Sequence, residues 1–480
     1  MNFRVTIYSL GNLLVLLGAL MATAVIPSIW FHDGAFLAVI GSAAVTVAAG
    51  ILARRLALPV QGDLSFREGF AVASLGWLTA GAFGALPFVV SGNIPNVISA
   101  YFESISGFTT TGATILTDIE ELDPSLLYWR SLTQWLGGMG IIVLAVALLP
   151  LLGVGGMQLF RAEVPGPVKD RLLPRIQDTA KLLWAVYFLI TLGAAVSLVL
   201  CDMPVFEAVC HAFTCMATGG FSPKNASIAA YGSAVHWVII VFMFLAGVNF
   251  SLHYLALRGR VERYIRSEEF LFYVLLITGA TAVVLAFNLG AGGPPLGDSI
   301  RNAVFQVVSI CTTTGFGTDD YECWPVVNQV VIVMLMFVGG SSGSTAGGFK
   351  CVRVLLLFKH AYVQVFRLIH PHAVKHVKID RKLVPEDVMQ SILGLFALYV
   401  MAMLGATLIM AALGLDLVTS AASVITCLNN VGPGLGDVGP TKNFAAIPGL
   451  GKVVLTICMV MGRLELFTVM VLFLPSFWRK

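Results

Sequence analysis

Charge is scarce in this sequence. Asp, Glu, Lys and Arg make up 11% of the 480 residues, where a soluble domain carries about 25%. That leaves too little polar surface to keep a body of this size dissolved, and it excludes a soluble enzyme, a disordered chain and a nucleic-acid binder. The eight cysteines are scattered, with no Cys-x-x-Cys pair and no His/Cys metal spacing, so neither a disulfide framework nor a zinc site is legible. No Ser-His-Asp set, no paired carboxylates and no nucleotide fingerprint can be read, and no covalent chemistry or organic cofactor is expected on this chain.

The bulk of the chain is apolar: 58% of residues are hydrophobic and the mean hydropathy is +0.88. The apolar residues come in runs of about 20, the length of helix that crosses about 30 Å of hydrocarbon. Ten runs can be marked, at 7–29, 35–53, 69–90, 126–152, 180–200, 235–257, 270–290, 327–358, 388–413 and 451–474. The chain reads as an all-α polytopic membrane protein. Arg4 ahead of the first run, with Ala22-Thr23-Ala24, resembles a leader and its cleavage site; we read the run as a span, and the remainder keeps its orientation either way.

Placing the basic residues orients the spans. Arg4, then Arg54, Arg55 and Arg67, the 161–181 loop, Arg258 to Arg266, eight residues from Lys350 to Lys382, and Arg479 with Lys480 all fall on one side, 23 of the 29 in total. That side is cytoplasmic and holds both termini. Arg130, Lys224, Arg301, Lys442 and Lys452 fall outside, and Arg463 lies within the last run. The outer side collects 14 of the 26 acidic residues, among them Asp118, Glu120, Glu121, Asp123, Asp319, Asp320 and Glu322. Such a face either solvates external loops or concentrates cations around an opening.

The 48 glycines cluster, and the clusters reveal a fourfold repeat. After the third, fifth, seventh and ninth runs comes a shorter semi-polar stretch ending in a glycine turn. These read Ala100-Tyr-Phe-Glu-Ser-Ile-Ser-Gly-Phe-Thr-Thr-Thr-Gly112, Ala208-Val-Cys-His-Ala-Phe-Thr-Cys-Met-Ala-Thr-Gly219, Ala303-Val-Phe-Gln-Val-Val-Ser-Ile-Cys-Thr-Thr-Thr-Gly315 and Ala421-Ala-Ser-Val-Ile-Thr-Cys-Leu-Asn-Asn-Val-Gly432. Taken as anchors, Gly112, Gly219, Gly315 and Gly432 lie 107, 96 and 117 residues apart. Each stretch is too short to span. The unit is helix, re-entrant half-helix, turn, helix, four times over.

Irregular backbone at membrane depth is tolerated only where it lines a cavity or is buried in protein. Glycine lets the chain adopt positive φ without steric cost, so carbonyls can be aligned on one axis, where they can replace the hydration shell of a cation. The half-helix C-termini add negative dipole there. The other reading is that these are tight turns capping short helices.

The four turns, together with Gly339-Gly-Ser-Ser-Gly-Ser-Thr-Ala-Gly-Gly-Phe-Lys350, resemble the TrkH/TrkG/KtrB superfamily of potassium transporters, over nearly the whole chain. The resemblance implies two additional N-terminal helices (1–60) before four tandem helix–P-loop–helix repeats around a central pore, at 61–160, 161–260, 261–382 and 383–480. It implies a potassium selectivity filter built from Thr110, Thr111 and Gly112, from Ala217, Thr218 and Gly219, from Thr313, Thr314 and Gly315, and from Asn430, Val431 and Gly432. Ala113 with Thr114, Gly220 with Phe221, Phe316 with Gly317, and Pro433 with Gly434 follow them. The ion would be held by Thr111, Gly112, Thr218, Gly219, Thr314, Gly315, Val431 and Gly432. The turns depart from the Thr-Val-Gly-Tyr-Gly pattern of tetrameric potassium channels, which implies K+ and Rb+ preference with Na+ not fully excluded. A homodimer in the bacterial inner membrane and a cytosolic TrkA-type ring, which would bind NAD or ATP, are implied as well.

Within the eighth run, Gly340, Ser341, Ser342, Gly343, Ser344, Thr345, Ala346 and Gly347 should unwind the helix, being mostly poor helix formers. Below the filter such a loop can obstruct ion flow and move at small cost, and the family resemblance implies a gate here; a small-residue packing face is the other reading. Arg463 is an intramembrane charge, a functional candidate by default, with donors enough to hold the loop. The resemblance gives an arginine this gating role, against a structural pairing with Glu465, which we expect instead to contact another helix or subunit. His370, His372 and His376 lie in the basic loop and read as solvated rather than metal-binding; that loop fits an acidic partner or the topology rule alone. The function that emerges is potassium uptake through a gated pore. A secondary K+ symporter coupled to H+ or Na+ is the alternative, and an intramembrane lipid enzyme a more remote one.

Overall fold

The computed structural model describes residues 2–58, 66–140, 176–292 and 294–478. The expected repeat boundaries at 60/61 and 160/161, the end of the 126–152 run, most of the basic 161–181 loop, and Arg479 with Lys480 lie outside the described residues.

The chain opens with a helical hairpin. Phe3–Met21 continues through a short 3-10 stretch into Val25–Phe31, and Phe36–Ala57 returns alongside it. Small residues let the two backbones touch: a Cβ on Gly50 would lie 2.7 Å from the Gly11 carbonyl oxygen, and one on Gly18 2.9 Å from that of Ala43. This is how helices associate in lipid, where apolar surface alone gives little drive. Asp33 ties the hairpin to the next unit, accepting from the Ser28 hydroxyl and from the Ser125 backbone N–H at 2.9 Å.

Four units follow, each with a long helix, a half-helix and a second helix. The long helices are Phe66–Gly84 (extended by Leu86–Val90), Ile176–Leu200, Glu268–Gly290 and Glu386–Ala412. The half-helices are Val97–Phe108, Val205–Met216, Leu296–Cys311 and Leu417–Asn429. At 12 to 16 residues they reach about 18–24 Å, short of a bilayer crossing. The half-helices are buried on almost every side, with Phe102, Phe108, Phe305, Ile310 and Val424 inaccessible and the polar Glu103, His211 and Gln306 buried among them. The long helices instead expose aliphatic and aromatic faces, such as Leu271, Leu275 and Phe287 or Phe396, Leu404 and Leu408. Half-helices inside and long helices against lipid is the resulting arrangement.

Continuous hydropathy hides breaks in the second helices. The runs 235–257 and 451–474, each read above as one span, are bent by 101° between Ser233–Ala246 and Phe250–Leu257 and by 117° after Gly449–Leu464. At the first bend Asn249 accepts from the Ser251 N–H and starts a new helix; at the second, Glu465 adopts φ +61°. In the third unit the break widens into a loop. Val326–Phe337 stops, Val338–Gly339 pairs in parallel with Phe349–Lys350, and Cys351–Ile369 resumes the helix. Pro124–Gly138 of the first unit also ends at this depth, at Gly138.

Replacing Gly50 with Leu should force the first hairpin apart, at about 1–3 kcal/mol for an overpacked contact. Thermal unfolding in detergent should shift down, while cation flux per folded molecule stays unchanged.

Candidate functional site

The half-helices all stop in the same way. Thr111, Gly219, Thr314 and Val431 donate backbone N–H bonds of 2.8–2.9 Å to Ser106, Thr214, Ser309 and Thr426, five residues back. The residues just before them, Thr110, Thr218, Thr313 and Asn430, bond three residues back and sit at φ +54° to +57°. This is the Schellman end, in which the left-handed position normally falls to glycine. Here it is Thr or Asn in every unit, at a cost of about 1–2 kcal/mol each. Strain of that kind persists where the surroundings over-determine it.

Two residues after each left-handed residue comes a glycine with φ of +75° to +96°: Gly112, Gly220, Gly315 and Gly432. A side chain on Gly112 would overlap the Gly219 carbonyl oxygen, one on Gly220 that of Thr314, and one on Gly315 that of Val431; on Gly432 it would meet the Thr111 oxygen at 2.7 Å. The four turns therefore close a ring, each glycine against the carbonyl of the next turn. In the second unit the register is one residue later than the repeat alignment expects: Gly220, not Gly219, matches the other three glycines, and Ala217 falls at the half-helix end rather than in the turn. The repeat pattern takes the first glycine of a Gly-Gly pair; the positive φ of Gly220 and its contact with the Thr314 carbonyl of the third unit distinguish the two.

Outside the ring the chain is tied back to the half-helices. Glu103, seven residues before Thr110, accepts from the Thr114 hydroxyl at 2.9 Å and the Ile115 N–H at 2.9 Å. His211, at the same place in the second unit, bonds the Ser222 hydroxyl at 3.0 Å, and Gln306 in the third donates to the Asp319 carbonyl at 3.1 Å. Thr114 thus turns its hydroxyl away from the ring. Arg130 pairs with Glu103 at 2.7 Å, both side chains being almost wholly buried, and donates to the Ser222 carbonyl at 3.0 Å. Gln134 donates to the Gly219 carbonyl at 2.7 Å and accepts from the Phe221 N–H.

The outer loops bridge neighbouring units as well. Asn225 accepts from the Ile119 N–H and donates to Asp118; Gly317 donates to the Ser227 hydroxyl; Glu322 accepts from the Gly436 N–H; and Phe444 donates to the Thr114 carbonyl. The Asn225 amide holds the Asp118 carboxyl below the usual carboxylate range. Several acidic residues of these loops are therefore structural ties as well as negative charge.

The Gly/Ser loop lies against the inner ends of the half-helices. The Thr345 hydroxyl donates to the carbonyls of Met216 and Ala246, and the Gly347 N–H to the Thr313 hydroxyl at 2.7 Å. A Cβ on Gly347 would lie 2.5 Å from the Asn429 carbonyl oxygen. Ser341 donates to the Gly247 carbonyl, Ser342 to Glu269, Ser344 to the Ser341 carbonyl, and Gly343 accepts from the Phe250 N–H. Gly340 packs on the Gly247 carbonyl, and Lys350 caps the Ala346 carbonyl. Displacing the loop must exchange these bonds, so it is fastened more firmly than its composition suggests.

Arg463 joins the loop to the first turn. It donates to the Thr345 carbonyl at 2.8 Å, the Thr110 hydroxyl at 3.2 Å and the Gly137 and Gly138 carbonyls. Glu465 is held by Arg353 at 2.6 Å, from the helix that follows the loop. Sequence reasoning missed Glu103, Arg130, Gln134 and Glu269. Arg130 sits in an apolar run as Arg463 does and carries the same signal; Gln134 and Glu269 carry no such mark.

The family model of TrkH, a cation transport protein, matches residues 41–480. The chain is 41% identical to the Trk system potassium uptake protein TrkH of Salmonella typhimurium, over the full length of both. It is 36% identical to the Trk system potassium uptake protein TrkG of Escherichia coli, covering 87% of each. The crystal structure of the potassium transporter TrkH from Vibrio parahaemolyticus matches with a TM-score of 0.90 at 35% identity, covering both chains completely.

Gly220→Ala should break the ring, because its Cβ would overlap a backbone oxygen at a φ that L-residues avoid. Gly317→Ala, with nothing within 4 Å of its Cβ, should leave cation uptake unchanged. Isotope flux into liposomes compares the two.

Proposed function

The chain belongs to the TrkH family of cation transport proteins, and on that premise we propose that it is a multi-pass membrane protein for potassium uptake, conducting K+ and Rb+ through a filter made by the four turns. The observation that carries this reading is the closed ring: four backbone carbonyls, at Thr111, Gly219, Thr314 and Val431, each set against the glycine of a neighbouring turn. Carbonyl oxygens crowded onto one axis can replace the water around a cation, and the half-helix C-termini point their negative ends to the same place. Thr110, Thr218, Thr313 and Asn430, with Gly112, Gly220, Gly315 and Gly432, complete the filter.

Residues 340–347 are the gate. They cross beneath the half-helices, and Arg463 fastens them to the first turn while adding a positive charge to the ion path. Potassium moves inward when these bonds are exchanged. The protein resides in the bacterial inner membrane as a homodimer with both termini in the cytoplasm. The basic segment from Lys350 to Lys382 docks a cytosolic TrkA-type ring, which binds the regulatory nucleotide.

Two experiments test this. Gly112→Ser or Gly432→Ser should lower the Rb+/Na+ flux ratio of reconstituted protein; an unchanged ratio in folded protein overturns the filter. Deleting residues within 340–347 should raise flux, and a loss of flux in folded protein would mean that the loop supports the pore rather than blocking it.

A further inference from the structure

The four units are alike in their turns and unlike behind them. Gly137 packs on the Phe108 carbonyl and Gly462 on the Leu428 carbonyl, the equivalent residues of the first and fourth units. Counting back seven and three residues gives Arg130 and Gln134 in the first unit, and Leu455 and Met459 in the fourth. Leucine and methionine fill the space there without polar groups, so packing does not require a charge at this place. Likewise the position of Glu103 is held by His211, Gln306 and Ser423 elsewhere. Among the described residues, only the first unit builds an ion pair at these positions.

That pair is buried and fully engaged. Glu103 and Arg130 have side-chain exposures of 0% and 3% and meet at 2.7 Å. Burying two charges costs more than an apolar replacement in many proteins, and the arrangement is best accounted for when it specifies a geometry. The groups it holds are all in the turns. Glu103 takes Thr114 and Ile115 from the first. From the second, Arg130 takes the Ser222 carbonyl and lies 3.4 Å over the Phe221 ring, and Gln134 takes the Gly219 carbonyl and the Phe221 N–H. A single helix, Pro124–Gly138, thus sets both the spacing of two adjacent turns and the direction of one ring carbonyl. The Gln134 amide also occupies one lone pair of the Gly219 oxygen, leaving the other for an ion.

We propose that Glu103, Arg130 and Gln134 are positioning residues for ion discrimination, bracing the first and second turns so that the Gly219 carbonyl keeps its place in the ring. The proposal rests on the filter reading above. A purely structural role would change how much protein folds; a positioning role changes which ion the folded protein passes. Networks of this kind act as a unit, each member holding the others in geometry.

The test uses full-length protein reconstituted in liposomes, with Rb+ and Na+ influx measured on material that is monodisperse after purification. Glu103→Gln keeps the shape and an acceptor for Ile115 but removes the charge facing Arg130. The Na+/Rb+ flux ratio should rise by about tenfold, equivalent to about 1.4 kcal/mol of differential ion stabilisation. Arg130→Lys keeps the charge but loses the fork that reaches Glu103 and Ser222 together, and should raise the ratio by a smaller factor. If Glu103→Gln does not fold, Arg130→Lys and Gln134→Leu decide by the same measurement. Ratios unchanged in the folded variants, while Gly112→Ser shifts its own, overturn the brace and leave the filter standing. If Gly112→Ser is also without effect, the filter reading fails and takes the brace with it.

Discussion

A helix that stops inside a bilayer leaves its last carbonyls without water, and each orphan must find a partner in protein. Everything at the centre of this molecule answers that constraint. The four half-helices satisfy their ends by the same pair of backwards bonds, which turn the chain left-handed at Thr110, Thr218, Thr313 and Asn430. The chain then passes so close to its neighbour that only glycine fits at Gly112, Gly220, Gly315 and Gly432. Local capping and long-range closure are thus one geometry. A ring of carbonyls is what remains when it is complete, and a ring of carbonyls is what a desolvated cation needs.

Several buried charges among the described residues follow a related rule: they sit where they hold irregular backbone. Arg463 ties four oxygens from the first turn, the end of Pro124–Gly138 and the Gly/Ser loop. Arg130 and Glu103 hold the outer arms of two turns. Arg353 and Glu465 join the helix after the loop to the last bend, where Glu465 is itself at positive φ. In lipid an unpaired charge is expensive, so these pairs fasten elements that propensity alone would leave loose.

The breaks in the second helices give the Gly/Ser loop its seat. Gly247, Asn249 and Phe250 at the bend of the second unit, and Gly462 and Arg463 near that of the fourth, all face it or the turns above it. An unbroken helix in either unit would close this space. The loop is therefore held by residues of two other units, the second and the fourth, although it is encoded in one.

Much of this was written in the linear chain. Four semi-polar stretches too short to span, a glycine-serine run inside an apolar segment, and Arg463 within the last apolar run mark the half-helices, the loop and its fastening, because burial and capping impose composition on neighbouring residues. Hydropathy, however, is summed along the chain and carries no direction, so it cannot tell the 101° and 117° bends from straight spans. Contact between units decided that Gly220 and not Gly219 closes the ring and that Glu465 meets Arg353. Those are distances between residues far apart in order, set by how four quarters of the polypeptide pack, and no local pattern encodes them.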